Sequence, residues 1–409
     1  MSKTPSQNLT LPEMEAALTL PGAQIKYELR LQELERQQVE LGPEPNPERD
    51  SLAEFVKAAW HVLEPGVPLV WNWHMDVMCA HLQAVTEGHM TRLLINVPPG
   101  HSKSLVVSCF WPAWMWLHKP SHRLLCCSST LSLAIRDSGR CKELIDSDWY
   151  QETFRPQWQW AKDTKAKANY KNTARGERRC ASVGATITGF RAEVLIIDDP
   201  LQMMDSLSER KREEANTWLD KAANNRVANP TTSAIVMIAQ RLHHEDPCGH
   251  VLQRKKNPFQ HVCLPTYFEK SRAFRTCLAD IPEYSQWGQD PRKVDGELLF
   301  PQFFTPDAIE EAEETLQELG FAAQHQQRPT PHQGNIFKAE MFCKKAPGPN
   351  DNPDTFSIEF WPLEMIFNQK IISSLFRLGH GDEGEDLQRL HRRLPFVAGR
   401  RRLYLSAAD

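Results

Sequence analysis

Arg92-Leu93-Leu94-Ile95-Asn96-Val97-Pro98-Pro99-Gly100-His101-Ser102-Lys103-Ser104 carries the first decision about this chain. A short apolar run rich in branched side chains reads as a buried strand, and Pro98-Pro99-Gly100 ends it. Lys103-Ser104 follows at the point where Leu105-Val106-Val107-Ser108 can open a helix. Backbone N–H groups at such a helix start favour a phosphate. A lysine ammonium neutralises β and γ oxygens, and a serine hydroxyl can ligate Mg²⁺. Pro99, Gly100, His101, Ser102, Lys103 and Ser104 are therefore candidate nucleotide-binding residues, with Ser104 also a candidate Mg²⁺ ligand. The strict glycine-rich pattern is not met, because Val97 and Ser102 stand where its two glycines belong. Taken alone, the stretch also reads as an ordinary strand-to-helix turn.

A second stretch, Val194-Leu195-Ile196-Ile197-Asp198-Asp199-Pro200, ends four apolar residues in two carboxylates. A buried strand delivers such groups to the carboxyl edge of a parallel sheet, where ligands bind. Asp198 is expected to hold Mg²⁺, and Asp199 to orient or deprotonate the attacking water. By itself the pair is equally an Asp-Asp-Pro turn, but following the Lys-Ser loop in this order it points to an ATPase. Two further apolar runs, Arg123-Leu124-Leu125-Cys126-Cys127-Ser128 and Ala234-Ile235-Val236-Met237-Ile238-Ala239, complete a set of four strands for the centre of a parallel sheet of five or more. Gln240-Arg241 follows the last of these, and Arg241 is a candidate γ-phosphate sensor or, equally, a surface arginine at a strand end.

The 409 residues exceed a single core. No apolar stretch approaches the roughly 18 residues of a membrane span, and residues 1–11 lack the pattern of a secretory signal. A net charge of −4 excludes a protein that coats nucleic acid over its whole surface, so any DNA contact is local. Ten cysteines form no C-x-x-C pair and read as reduced thiols. The group His243, His244, Cys248 and His250 fits no common metal-site spacing and reads better as a helix end. Residues 23–41 suggest an amphipathic helix closed by Gly42-Pro43. Asp50 or Ser51 can cap the next helix, whose Leu52, Phe55, Val56, Ala59 and Trp60 share one face. Repeated prolines after Pro265 mark a connector with one helix, expected over 306–319 behind Thr305-Pro306.

Together these stretches resemble the large terminase subunit of tailed bacteriophages, over residues 71–342. Trp73-His74 with Leu82 looks like that family's adenine-side helix, so Trp73 joins the nucleotide-binding set. Ser128-Ser129 with Arg136-Asp137-Ser138 resembles its second motor strand and helix. The approach from Ser182-Val183-Gly184 to Asp198-Asp199 is similar to its Walker B region. Gln240-Arg241-Leu242-His243 and Glu245-Asp246 resemble its coupling motif, which adds Gln240 to that set. Gly296-Glu297-Leu298-Leu299-Phe300-Pro301, Phe321-Ala322-Ala323-Gln324 and Gly334-Asn335-Ile336-Phe337 look like the passage towards a nuclease domain.

The resemblance implies an α/β fold of the P-loop NTPase (ASCE) type, a mostly parallel sheet flanked by helices. It also implies an N-terminal helical arm (1–48), a motor domain (49–265), a connector (266–345) and an incomplete nuclease region (346–409). ATP and Mg²⁺ are the implied cofactors. The implied partners are double-stranded DNA, a small terminase subunit, the portal of a procapsid, and further copies in a ring, all in the bacterial host's cytoplasm and away from the membrane. Relatives carry arginine where this loop has Gly100, so Arg191 or a neighbouring copy's arginine is expected to supply that charge. An inactive prophage remnant and a helicase-like DNA-dependent ATPase are the alternatives.

After Phe337 the family continues into an RNase H-like domain whose first carboxylate stands in a Trp-Asp pair. This chain has none there. Instead it has Gly379-His380-Gly381-Asp382 and an arginine-rich end. Codons exist for residues 377–393 that, read one nucleotide later, encode a peptide beginning Gly-Trp-Asp. A reading-frame change between residues 373 and 377 is therefore expected, with a tail that does not pack and nuclease activity lost; a basic DNA-binding tail is the competing reading.

Overall fold

The computed structural model describes residues 46–162, 166–221 and 223–330, together with three strands further on. The helix expected over 23–41 and the expected reading-frame change fall outside the described residues. Two compact units divide between Pro329 and Thr330.

The larger unit is built on a seven-stranded sheet. Its strands are β1 (Arg92–Asn96), β2 (Arg123–Ser128), β3 (Asn169–Lys171), β4 (Glu177–Ser182), β5 (Val194–Asp198), β6 (Ala234–Ala239) and β7 (Gln260–Cys263). They lie in the order β3-β4-β2-β5-β6-β1-β7, parallel throughout except for the β3–β4 pair at one edge. Every residue of β1, β5 and β6 is buried, which explains their unbroken apolar sequences: helices cover both faces. One strand, β6, separates the loop-bearing β1 from the acid-bearing β5. This is the mostly parallel α/β fold expected from the sequence.

Alternate residues of the strands feed two cores. Leu93, Ile95, Val194, Ile196, Val236 and Ile238 pack on one face, against α1 (Leu52–Leu63), α2 (Trp73–Glu87), α3 (Trp111–His118), α4 (Leu131–Asp146) and α5 (Asp148–Phe154). Leu94, Leu195, Ile197, Ile235 and Met237 pack on the other, against α6 (Glu209–Lys221) and α7 (Pro247–Leu252). Ser51, rather than Asp50, caps α1: its side chain accepts from Glu54 N–H, and the predicted face of Leu52, Phe55, Val56, Ala59 and Trp60 is buried.

The connector helix α8 (Pro306–Gln324) starts at the predicted Thr305 cap but runs beyond residue 319, interrupted at Gln317. Its far end is held because buried Phe321, Ala323 and Gln324 pack into the unit. In the second unit β8 (Phe342–Lys345), β9 (Thr355–Phe360) and β10 (Leu403–Ser406) form an antiparallel sheet with β9 central. No described helix is long and apolar enough to cross a membrane.

Candidate functional site

Between β1 and the following helix the chain turns through two left-handed positions, Gly100 at φ +79° and Ser102 at φ +57°. Gly100 is needed twice over. Its φ suits glycine, and a Cβ placed there would sit 2.8 Å from Cζ of Phe304. Phe304 also stacks on His101, with centroids 4.7 Å apart and planes at 18°. The His101 ring is further held through Nδ1, 2.9 Å from the Pro99 carbonyl. Burial pushes its pKa down to about 4, so the ring is neutral and cannot offer a phosphate a positive charge. The connector thus roofs the loop at the position where the resemblance expects an arginine.

Lys103 and Ser104 open the helix and face the two carboxylates across the sheet edge. Lys103 Nζ lies 3.2 Å from Asp199 Oδ2. The Ser104 hydroxyl donates to Asp198 Oδ1 at 3.0 Å, and the Ser108 hydroxyl donates to Asp198 Oδ2 at 2.7 Å. Asp199 adopts φ +41°, a conformation Asp tolerates better than most residues. It is fixed there by its N–H donating to Ile238 O (2.9 Å) and its carbonyl accepting from Ser129 N–H (3.1 Å).

Asp198 is buried, and burial together with the Asp199 charge raises its pKa from 3.8 to about 7, against the opposing pull of Ser108 and Lys103. Two hard oxygen donors, Ser104 Oγ and Asp198 Oδ1, thus sit side by side in a place where a carboxylate lacks a full counter-charge. That donor set fits Mg²⁺, which prefers oxygen ligands and keeps several waters.

The other predicted residues meet different fates. Gln240, at the end of β6, has its Oε1 shielded from water and without a hydrogen-bond partner among the described residues. Arg191 is exposed in the loop before β5. Trp73 carries the Arg292 guanidinium over its ring at 5.3 Å, and it is the neighbouring His74 that meets the loop, its ring 5.3 Å from that of His101.

Arg241 is engaged by its own loop. Its Nε bonds both oxygens of Asp246 at 3.0 Å, and Nη2 reaches the His243 and His244 carbonyls at 3.3 and 3.4 Å. Asp246 in turn accepts from the N–H groups of Leu242, His243 and Gly249 and caps α7. Through Nε and Nη2 the arginine holds its own loop in place. Nor do the four imagined metal ligands converge: Cys248 is buried against Asn96 and Met237, while His250 pairs with Asp220. A different trio, His243, His244 and Glu245, brings its potential ligand atoms within 4.8 Å of one another.

Sequence reasoning gave Ser108 and Phe304 no role, and named Asp246 only within the resemblance to the coupling motif, without its part in holding Arg241. Ser108 stands four residues after Ser104, on the same helix face, and Asp246 directly precedes Pro247, so two of the three left a readable spacing. Phe304 left none.

No family model matches the chain, and no curated protein matches it. Solved structures to which it is similar are phage large terminases. Against the HK97 bacteriophage large terminase the TM-score is 0.41 at 11% identity, covering 77% of this chain and 65% of that one. Against the large terminase of a thermophilic bacteriophage in complex with ADP the TM-score is 0.36 at 8% identity, covering 69% and 64%. Against the ATPase domain of the Thermus phage P74-26 large terminase it is 0.37 at 13% identity, covering 66% and 98%. The chain therefore spans about two thirds of the length of the HK97 protein and nearly all of that isolated ATPase domain.

Proposed function

We propose that the chain is an ATP-hydrolysing large terminase subunit that drives double-stranded DNA into a procapsid. The observation that carries the ATPase part is the pairing of Lys103 with Asp199 and of Ser104 with Asp198 across the carboxyl edge of β1 and β5. The packaging part rests on the ordered resemblance of the motifs from Trp73 to Phe337. It brings with it the small terminase subunit, the portal, a ring of copies and the host cytoplasm.

Each group then has a task. Phosphates lie against the backbone N–H groups of residues 100–104, and Lys103 turns from Asp199 to the β and γ oxygens. Asp199, so released, accepts a hydrogen bond from the attacking water and orients it. Ser104 and Asp198 hold Mg²⁺, which when bound supplies charge neutralisation at the phosphates. Gln240 Oε1, left without a partner, is free to report the state of the γ-phosphate to β6. Neither His101, which is neutral, nor Arg241, which is committed to Asp246, supplies the missing cation, so that role falls to Arg191 or to an arginine of a neighbouring copy.

Purified protein is expected to hydrolyse ATP in a Mg²⁺-dependent way that Lys103→Ala strongly lowers. No hydrolysis by the unaltered protein overturns the motor reading. A second reading, a non-hydrolysing prophage remnant, is favoured by Gly100 lying under Phe304, and nucleotide binding without turnover supports it. ATP-driven strand separation without a capsid would instead favour a helicase-like ATPase. The lack of a Trp-Asp pair after Phe337 supports the reading that nuclease activity is lost, which the DNA sequence downstream of codon 376 tests: no hidden Gly-Trp-Asp peptide in the shifted frame removes the idea.

A further inference from the structure

The helix that follows the phosphate loop is not a regular α-helix. Residues Leu105–Phe110 form a π turn before α3, and the Trp111 N–H bonds back to the Val106 carbonyl. The sequence supplies the cause. Pro112 stands four residues after Ser108, so the donor that an α-helix would offer to the Ser108 carbonyl does not exist, and the proline ring crowds that same carbonyl. A π turn is one way for a helix to absorb this conflict, and such turns gather at functional sites.

The freed carbonyl is satisfied from another element. Arg178 on β4 is completely buried, and its Nη2 donates to Ser108 O at 2.8 Å. Its Nε and Nη1 have no hydrogen-bond partner among the described residues. A guanidinium taken out of water without a carboxylate against it is expensive to keep. Its one hydrogen bond goes to the backbone of the residue whose hydroxyl is 2.7 Å from Asp198 Oδ2.

Ser108 is 3% exposed and lies on the helix after the loop rather than in the loop. Its bond leaves Asp198 with one oxygen, Oδ1, beside Ser104. Partners of this kind, one step removed from an ion, orient its ligands and are costly to lose.

We propose that Ser108 is a positioning residue for the cation held by Asp198 and Ser104, placed by the Pro112 π turn and the Arg178 hydrogen bond. By occupying Oδ2 it directs Oδ1 towards the ion and prevents the carboxylate from rotating. The inference rests on the nucleotide-site reading above, and the test separates the two.

Two affinities are measured: for ADP in excess chelator, and for Mn²⁺, a spin-active substitute for Mg²⁺, in the ADP complex by electron paramagnetic resonance. Ser108→Ala is expected to leave the first unchanged and to weaken the second by about ten-fold or more. Ser108→Thr keeps the hydroxyl and is expected to hold Mn²⁺ within about three-fold of the unaltered protein. Pro112→Ala restores the missing N–H and favours a regular helix. It is expected to weaken Mn²⁺ in the same direction without lowering the melting temperature, which a merely structural role for the turn would not produce. Unchanged Mn²⁺ affinity in Ser108→Ala overturns the proposal and leaves the ATPase reading intact. Equal loss of ADP and Mn²⁺ binding overturns it as well, since Ser108 would then be supporting the loop as a whole. Failure of the unaltered protein to bind ADP at all removes the nucleotide-site reading and this inference with it.

Discussion

Two clusters of buried charge stand at the carboxyl ends of neighbouring strands, and they are built on opposite principles. After β6, Arg241 and Asp246 neutralise each other, and backbone N–H groups and carbonyls bond to both side chains. After β1 and β5, Asp198 has only two hydroxyls on its oxygens and a second carboxylate beside it, and Lys103 reaches the partly exposed Asp199 instead. The first cluster is neutral and serves to fold a loop. The second is short of positive charge and of donors, and a phosphate with its cation would complete it. Incomplete satisfaction distinguishes a working site from a structural one more sharply than the presence of charge does.

The largest effect that should separate the clusters is kinetic. Lys103→Ala is expected to lower ATP hydrolysis by a factor on the order of 10³, while denaturant unfolding shows a change of about 1 kcal/mol or less, because its partner can be solvated. A comparable loss of stability would instead make Lys103 part of the fold. Asp246→Ala should behave the other way. It leaves the Arg241 guanidinium buried and unpaired and removes the α7 cap, at a cost of about 3–5 kcal/mol in urea unfolding. A near-neutral result breaks the comparison at its structural end.

Next comes pH. Unfolded, the Asp198 carboxyl ionises near 3.8; folded, at about 7. Between those values the folded protein keeps a proton that the unfolded chain has released, so ionisation opposes folding. The contribution of Asp198 is full below 3.8, fades as pH rises to about 7 and is constant above. Metal-free protein should therefore lose stability relative to Asp198→Asn as pH is raised from 4 to 7, as read by paired melting curves. A flat difference means that Asp198 is already charged and satisfied. The smallest effect is at the roof of the loop. Gly100→Ala should cost about 1–2 kcal/mol for the left-handed backbone alone, and part of any further loss should return in the double variant with Phe304→Ala. Strict additivity of the two changes would remove Phe304 as the reason for glycine.

How much of this was legible depends on whether a feature was local. The four central strands announced themselves as apolar runs because both their faces are covered. The two strands towards the β3 edge did not: Glu177–Ser182 and Asn169–Lys171 are polar and half-buried, and their pairing is set by neighbours rather than by their own pattern. Lys103, Ser104, Asp198 and Asp199 were legible because each follows directly from its strand. The employment of Arg241 was not, since a strand-end arginine reads alike whether its guanidinium meets a phosphate or the Asp246 of its own loop. Trp73 was likewise placed correctly on α2, with no sign in the sequence that Arg292 covers its ring.

What the sequence by itself determined is the alternation of buried strands and helices, the loop that presents Lys103-Ser104, and the acid pair at the end of β5. Each is a matter of hydrophobic period, backbone stiffness and residue chemistry over a few positions. Only the tertiary structure decided that β6 lies between β1 and β5, that Ser108 completes the hold on Asp198, and that Phe304 occupies the space above Gly100. Those are contacts between residues 40 to 204 positions apart, whose geometry depends on how the whole sheet twists and is covered, and no local pattern encodes them.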